Sequence, residues 1–540
     1  MSAVAMREAG HEFDRAIAEA QEHERRQELS EALVKYTHAL SHDPRHVPSW
    51  IRVATILLTG LHWQRGIEAL DTALELDPRS VQALYLKAYA DFNLGRMEQA
   101  RASIERAARQ SNDSTVWVLR AWILSSLDKD PARTRAVFCD WGRRIADPLT
   151  RTAKPLKVLD RDPRRVLRVG YVTADFRRHS VAFFMLPVLQ QHRPQEVDVH
   201  VFSSGRADDL TPLLQQHVPH WHNVADLADD ELCEYIRALR IDVLVDLSGH
   251  TLGHRLLTFA RRAAPVQVTW LGFMNTLGMK AMDYRLTDYG ICPLGSERFY
   301  SEKLFRLGCM ASYAPPPYAP LRDDPPMLEH GYPTLISLNN SVKVTHEMLL
   351  LWTRILEARP DARLIVMVKE QTAEAAQDAM QHRIQAAGMP LDRVFVLHQQ
   401  PLEQFMELGH IADVALDTAP ISGGTTTLHA LWMGLPVVAL DAVRGIDAAS
   451  ARTLQGLGFG DLVVQGENAY VAKALELMDD AQALRAHRGS CRDKLRSSPL
   501  MNYAVRTAEL EQAFRCMWVD YLGGTPLSLD VQGGTAATLS

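Results

Sequence analysis

Asp43-Pro44 and Asp77-Pro78 stand 34 residues apart, and Asn112-Asp113 falls close to the next interval. On that register Ala32, Gly66 and Ala100 coincide, as do Tyr36, Leu70 and Ile104, and then Ala39, Ala73 and Ala107. Trp50 takes the early large-residue position of its repeat. A period of this length marks a supersecondary unit that cannot bury its apolar face alone and stacks on its neighbours. Small residues recur where paired helices touch, large ones fill the groove between them, and proline marks the turn. Residues 1–130 are therefore expected to form an all-α repeat domain.

Beyond it the pattern changes. Asp128-Lys129-Asp130-Pro131 and Asp160-Arg161-Asp162-Pro163 bracket a segment, 131–164, that reads as a helical connector and polar linker. From there short β-rich runs alternate with helical ones, at 166–172, 197–202, 241–247 and 265–271. Such alternation implies a parallel sheet with crossover helices. A hinge carrying Pro315, Pro316, Pro317 and Pro320 precedes a second set, at 333–338, 362–368, 393–397, 412–417 and 435–440. The expected layout is one Rossmann-like domain over 165–325 and another over 326–521, closed by an amphipathic helix at 504–521. The tail 522–540 is small and polar and reads as disordered.

Composition excludes several classes. A net charge of −6 gives no nucleic-acid footprint. No apolar run approaches the roughly 18 to 20 residues of a membrane span, and the N-terminus lacks the apolar core of a signal peptide. The six cysteines are scattered without CxxC spacing, which argues against a structural zinc site or a disulfide framework. A soluble, cytoplasmic protein without a resident metal is expected. The oligomeric state stays open.

Four groups of residues point to chemistry. Gly423-Gly424-Thr425-Thr426-Thr427 follows an apolar strand and opens a helix. Glycine allows close backbone approach, and the first amides of a helix with its dipole hold anions, so this is a candidate diphosphate cradle. Asn339, Asn340 and Lys343 follow the first strand of the second set, at a carboxyl end that faces the ligand crevice in such sheets. The lysine can neutralise a diphosphate, and the asparagines can bond sugar or phosphate oxygens. His179 lies in the loop after the first strand, where an imidazole suits a general base or an acceptor contact. With 21 histidines in the chain, a single one is more often structural. The loops with Gly249-His250 and with Asn275-Thr276 also follow strands and would line the acceptor side. Asp160-Arg161-Asp162 has the form of a metal-binding DxD string, but its place in the linker reads as a charged connector.

Together these strings resemble the O-linked N-acetylglucosamine transferase family, in its bacterial SPINDLY-like branch. The resemblance rests on residues 168–180, 246–251 and 264–272, then Met282-Asp283-Tyr284 and 300–304. Asn339-Asn340 with Lys343, the Gly-Thr segment, Ser498-Pro499-Leu500 and Met517-Trp518 complete it. The N-terminal repeats likewise resemble tetratricopeptide repeats. The resemblance implies an α/β GT-B fold, two Rossmann-like domains preceded by an all-α tetratricopeptide-repeat domain. It also implies inverting, metal-independent transfer of a sugar, first N-acetylglucosamine from its UDP derivative, to Ser or Thr of a protein bound partly by the repeats. Lys343 and the Gly-Thr loop would hold the donor diphosphate, with Phe405 and His429 on the nucleoside side and His179 at acceptor and sugar. The chain departs from the family at His429, where an acidic ribose ligand is common, and at Phe405, Gly445 and Ala448. Alternatives are another donor sugar, an asparagine acceptor, or a repeat-based binding scaffold with a degenerate transferase domain.

Overall fold

Seven helices open the chain: α1 (Ala3–Arg25), α2 (Leu29–His42), α3 (Val47–Thr59), α4 (Trp63–Leu76), α5 (Val81–Asn93), α6 (Met97–Ala108) and α7 (Ser114–Leu127). The computed structural model describes residues 3–128, 130–368, 372–441 and 445–524. The 34-residue period has a local cause in the turns. The carboxylate of Asp43 accepts the amide of Arg45, and that of Asp77 accepts Arg79, each at 3.0 Å, closing the loop around the proline. Asp113 repeats the device on Thr115 at 2.7 Å. Residues in register are all buried, among them Ala32, Ala39, Leu70, Ala73, Ala100 and Ile104. A Cβ on Gly66 would come within 2.6 Å of Leu58 Cδ2, so only glycine lets α4 approach α3 this closely.

The first sheet has seven strands: β1 (Leu167–Thr173), β2 (Val197–Ser203), β3 (His220–Asn223), β4 (Val243–Asp246), β5 (Val266–Thr269), β6 (Tyr284–Asp288) and β7 (Lys303–Leu307). Their order is β3-β2-β1-β4-β5-β6-β7, all parallel. The chain therefore reverses its direction of travel between β1 and β4, and ligands of doubly wound sheets bind at the carboxyl side of that switch. The second sheet contains β8 (Thr334–Ser337), β9 (Arg363–Met367), β10 (Val394–Leu397), β11 (Val414–Leu416), β12 (Val437–Leu440) and β13 (Val463–Val464). Its order β10-β9-β8-β11-β12-β13 puts the equivalent switch between β8 and β11. The architecture is thus an all-helical repeat region followed by two parallel, Rossmann-like sheets. β3, β6, β7 and β13 were not expected from the sequence.

Two compact units emerge from the packing. The first holds the helices up to Leu127 together with Asn339–Thr353 and Ile365–Gln399, and the second holds the remaining described residues. The contiguous domain expected at 326–521 is therefore divided between them. Its closing helix also behaves differently from expectation. Leu510, Phe514, Met517 and Trp518 of helix Tyr503–Tyr521 lie in one core with Val169 and Tyr171 of β1 and Val245 of β4. Burying each large side chain is worth roughly 1.5–3 kcal/mol, enough to hold this helix on the first sheet. Glu511 adds polar contacts by accepting from the Arg193 amide at 2.8 Å and its Nε at 2.7 Å. All six cysteines are free. Among the described residues no helix is long and apolar enough to cross a membrane. Most of the tail read as disordered, 525–540, lies outside the described residues, as do the surroundings of Gly445 and the side chain of Ala448.

Candidate functional site

The loops leaving β1 and β4 meet at the first switch. Thr173 Oγ1 accepts the amide of Asp175 at 3.0 Å and lies 3.4 Å from Ser248 Oγ, which ties the two loops together. Asp246, at the end of β4, accepts from the amides of Ser248 and Gly249 and from Thr269 Oγ1 at 2.9–3.1 Å. Burial pushes its carboxyl up to about 6 despite those donors. His179 caps the helix Ser180–Gln191, its Nδ1 accepting from the Val181 amide at 3.3 Å. Its side chain is 40% exposed, and the buried Asp175 carboxylate stands 3.7 Å behind Nδ1.

The other residues expected on the acceptor side are more enclosed. His250 is 1% exposed, with Nε2 2.9 Å from the Leu277 carbonyl and its ring packed among Phe138, Trp141 and Phe273. Burial lowers its pKa to about 3. A Cβ on Gly249 would collide with Phe273 Cβ at 2.2 Å. Thr276 donates to Glu302 at 2.8 Å, and Glu302 also accepts the Leu277 amide at 2.6 Å. Asn275 is half-buried, and its carbonyl accepts from Arg285 of β6, which also donates to the Phe273 carbonyl at 2.8 Å. Glu302 and Arg285 thus fix this loop. Sequence reasoning assigned neither a role, although Glu302 lies within one of the family-like strings.

At the second sheet, Asp417 follows β11 and accepts the Gly423 amide at 2.7 Å. Gly424 caps the helix Thr425–Trp432, and nothing lies within 4 Å of where its Cβ would be. That open space is what a ligand approaching the helix start requires. Thr425 and Thr426 are half-buried beside it. Thr427 is buried, and its hydroxyl lies 2.7 Å from Ser450 Oγ, which in turn donates to the Gly423 carbonyl at 2.9 Å. His429 points inward. It is 5% exposed, shares a 2.7 Å hydrogen bond with Tyr313 Oη, and meets the edges of Phe183 and Phe405. Burial lowers its pKa to about 3.

Within the first unit, Asn339 is buried and Asn340 caps the short turn Ser341–Lys343, accepting from the Val342 amide at 3.2 Å. Arg383 holds the same turn through the carbonyls of Ser341, at 3.2 Å, and Val344. Burial lowers the Arg383 pKa to about 10, which leaves it charged at neutral pH. A Cβ on Gly95, in the turn between α5 and α6, would lie 3.5 Å from that guanidinium, so a repeat turn rests against it. The linker string Asp160-Arg161-Asp162 closes on itself, Asp160 accepting the Asp162 amide at 3.0 Å. A group of possible metal ligands does occur elsewhere, at Asp198, His200 and His220 across β2 and β3. Sequence spacing hid it because the ligands come from two strands.

Comparison with known proteins agrees with this architecture. Residues 153–311 and 334–510 match glycosyl transferase family 41, and residues 62–123 match the tetratricopeptide repeat. The probable UDP-N-acetylglucosamine–peptide N-acetylglucosaminyltransferase SPINDLY of Arabidopsis thaliana is 34% identical over 402 residues, covering 72% of this chain and 43% of its own length. Its counterpart from Solanum lycopersicum is 34% identical over 399 residues, covering 72% and 42%. The chain therefore spans less than half the length of these curated relatives. A solved mutant of the Thermobaculum terrenum O-GlcNAc transferase superposes with a TM-score of 0.85 at 33% identity, covering 95% of this chain and 99% of that one. With the match running through both parallel sheets, this chain belongs to glycosyl transferase family 41.

Proposed function

We propose that the protein transfers a sugar, N-acetylglucosamine from its UDP derivative in the first instance, to a Ser or Thr hydroxyl of a protein. The observation that carries this reading is the helix Thr425–Trp432, which opens at an unobstructed Gly424 directly after β11, inside a family 41 chain. The relatives named for this donor and for peptide acceptors support the choice of substrates. The repeats supply a surface of the kind that binds peptides.

In the proposed reaction the acceptor oxygen bonds to the anomeric carbon as its bond to the diphosphate oxygen breaks, with inversion. The electron pair leaves on the diphosphate, and the hydroxyl proton passes to a base. Charge develops on the departing group, so donors fixed there contribute most. Lys343, the amides at Gly424–Thr426 and the helix dipole fill that role, and the reading needs no metal. Because Nδ1 of His179 accepts the Val181 amide, its neutral ring carries the proton on Nε2. In this geometry His179 donates to acceptor or sugar, and a base role requires the ring to turn toward Asp175. We leave His250, Thr276, Thr427 and His429 out of the ligand set, because each is buried and holds a hydrogen bond to the framework.

Calorimetric titration with UDP tests the reading. Binding in the micromolar to millimolar range is expected and should be lost in Lys343→Ala, with turnover down about 10²- to 10³-fold. No UDP binding by the unaltered protein would leave a repeat-based scaffold as the better description. Incubation with UDP-sugars and host lysate, read by intact mass, then identifies donor and acceptor together.

A further inference from the structure

A cluster of histidines lies outside the proposed transfer site, on the edge of the first sheet. Alternate residues of a strand share a face, which places Asp198 and His200 of β2 beside His220 and His222 of β3. His200 pairs in register with His220, and Phe202 with His222. The ligand atoms of Asp198, His200 and His220 all lie within 4.8 Å of one another. Nε2 of His220 is 3.1 Å from Asp198 Oδ1, and Nε2 of His200 is 3.5 Å from Oδ2. The His200 and His220 rings stack at 4.4 Å and present both nitrogens to one carboxylate.

The decisive feature is His200. It is 5% exposed, yet its Nε2 is buried without a hydrogen-bond partner and aims into this cluster. Its other nitrogen is committed, with Nδ1 3.2 Å from His222 Nε2 and His222 Nδ1 2.9 Å from Tyr235 Oη. A chain of this kind is how metal-bound imidazoles are oriented from behind. Arg168 Nε, 4.0 Å from Asp198 Oδ2, competes for this carboxylate.

We propose that Asp198, His200 and His220 form a three-ligand site for a divalent transition-metal ion, zinc by preference, with a fourth position open to water. Two imidazoles and a carboxylate suit zinc at about 2.0–2.2 Å. The present separations close to that geometry by rotation of the partly exposed Asp198 and His220 side chains about the fixed His200. Asp198 is the second residue of β2 and His220 the first of β3, so the site sits toward the amino ends of the strands. The proposed transfer loops leave from the carboxyl ends. A bound ion would staple edge strand β3 to β2 and take no part in sugar transfer.

Titrating the metal-stripped, untagged full chain with Zn²⁺ alone tests this. One equivalent is expected to bind with a micromolar or tighter constant, and Co²⁺ should give the visible absorption of a four-coordinate ion. His220→Ala and Asp198→Asn should each weaken binding about 10- to 100-fold. His42→Ala should leave it unchanged, because that ring pairs with His38, at 3.4 Å on the exposed face of α2, and belongs to neither β2 nor β3. Thermal midpoints of the variants without metal verify that each is folded. Absence of Zn²⁺ binding, or binding unaltered in both site variants, would make the cluster an ion-paired histidine group only.

Discussion

Tyr313 and His429 are 116 positions apart and share a buried 2.7 Å hydrogen bond closed over by Phe183 and Phe405. Two polar groups buried together cost little while each satisfies the other, and removing one strands its partner. Tyr313→Phe should therefore lower stability by about 1–3 kcal/mol in urea unfolding. Tyr313→Phe with His429→Leu should recover much of that loss, since neither polar group then remains. UDP affinity should stay within about twofold in the single variant, as the bond faces the framework. A tenfold loss of UDP binding at unchanged stability would return His429 to the donor site. The family resemblance pointed to a ligand role because His429 stands where an acidic ribose ligand is common. The direction of its ring depends on a hinge residue more than a hundred positions away, which no local pattern reports.

At the scale of elements, Lys343, proposed for the donor diphosphate, sits on the turn Ser341–Lys343, which is held from behind. Arg383 grips the carbonyls of Ser341, within the turn, and of Val344, just after it. Arg383→Met removes the charge and the fork, and Arg383→Lys keeps the charge alone. Both should weaken UDP binding, the first by about tenfold or 1.4 kcal/mol, the second by less. Equal affinity in both variants, with unchanged thermal midpoints, would show that the turn holds itself. Arg383 gave no sequence signal, since it lies on a helix remote from the strand-end motif. Strands show the same division. β1, β2, β8 and β9 were legible because burial on both faces makes continuous apolar runs. β3 was not, since His220-Trp221-His222-Asn223 is polar and earns its strand only by pairing with β2. β6 carries Arg285, whose guanidinium turns inward to loop carbonyls, a use of arginine that composition reads as surface.

Across the whole molecule, burial of neutral imidazoles ties stability to pH. His250 and His429 are each held near pKa 3, well under the ordinary histidine value, because burial disfavours the charged ring. The unfolded chain binds their protons below about pH 6.5 and the folded chain does not, so stability falls as pH drops through that window. Asp246 acts in the opposite sense. Its folded pKa of about 6 exceeds the unfolded value, so its contribution improves as pH falls below 6. Each group changes stability by about 1.4 kcal/mol per pH unit where the two states differ by a full proton. His254 and His487, each held near pKa 4 by burial, act in the same sense, so four imidazoles over about one and a half units outweigh one carboxyl over about one, for a net loss of about 5–7 kcal/mol between pH 6.5 and 5. Urea midpoints measured across that range should drift downward toward acid. In the Tyr313→Phe, His429→Leu double variant one of these four histidines is gone, so the drift should shrink by about a quarter to a third. An undiminished slope in that variant would mean that the acid sensitivity comes from carboxylates paired in the native state, such as Glu511, whose pKa is lowered by His192 and Arg193 against its burial.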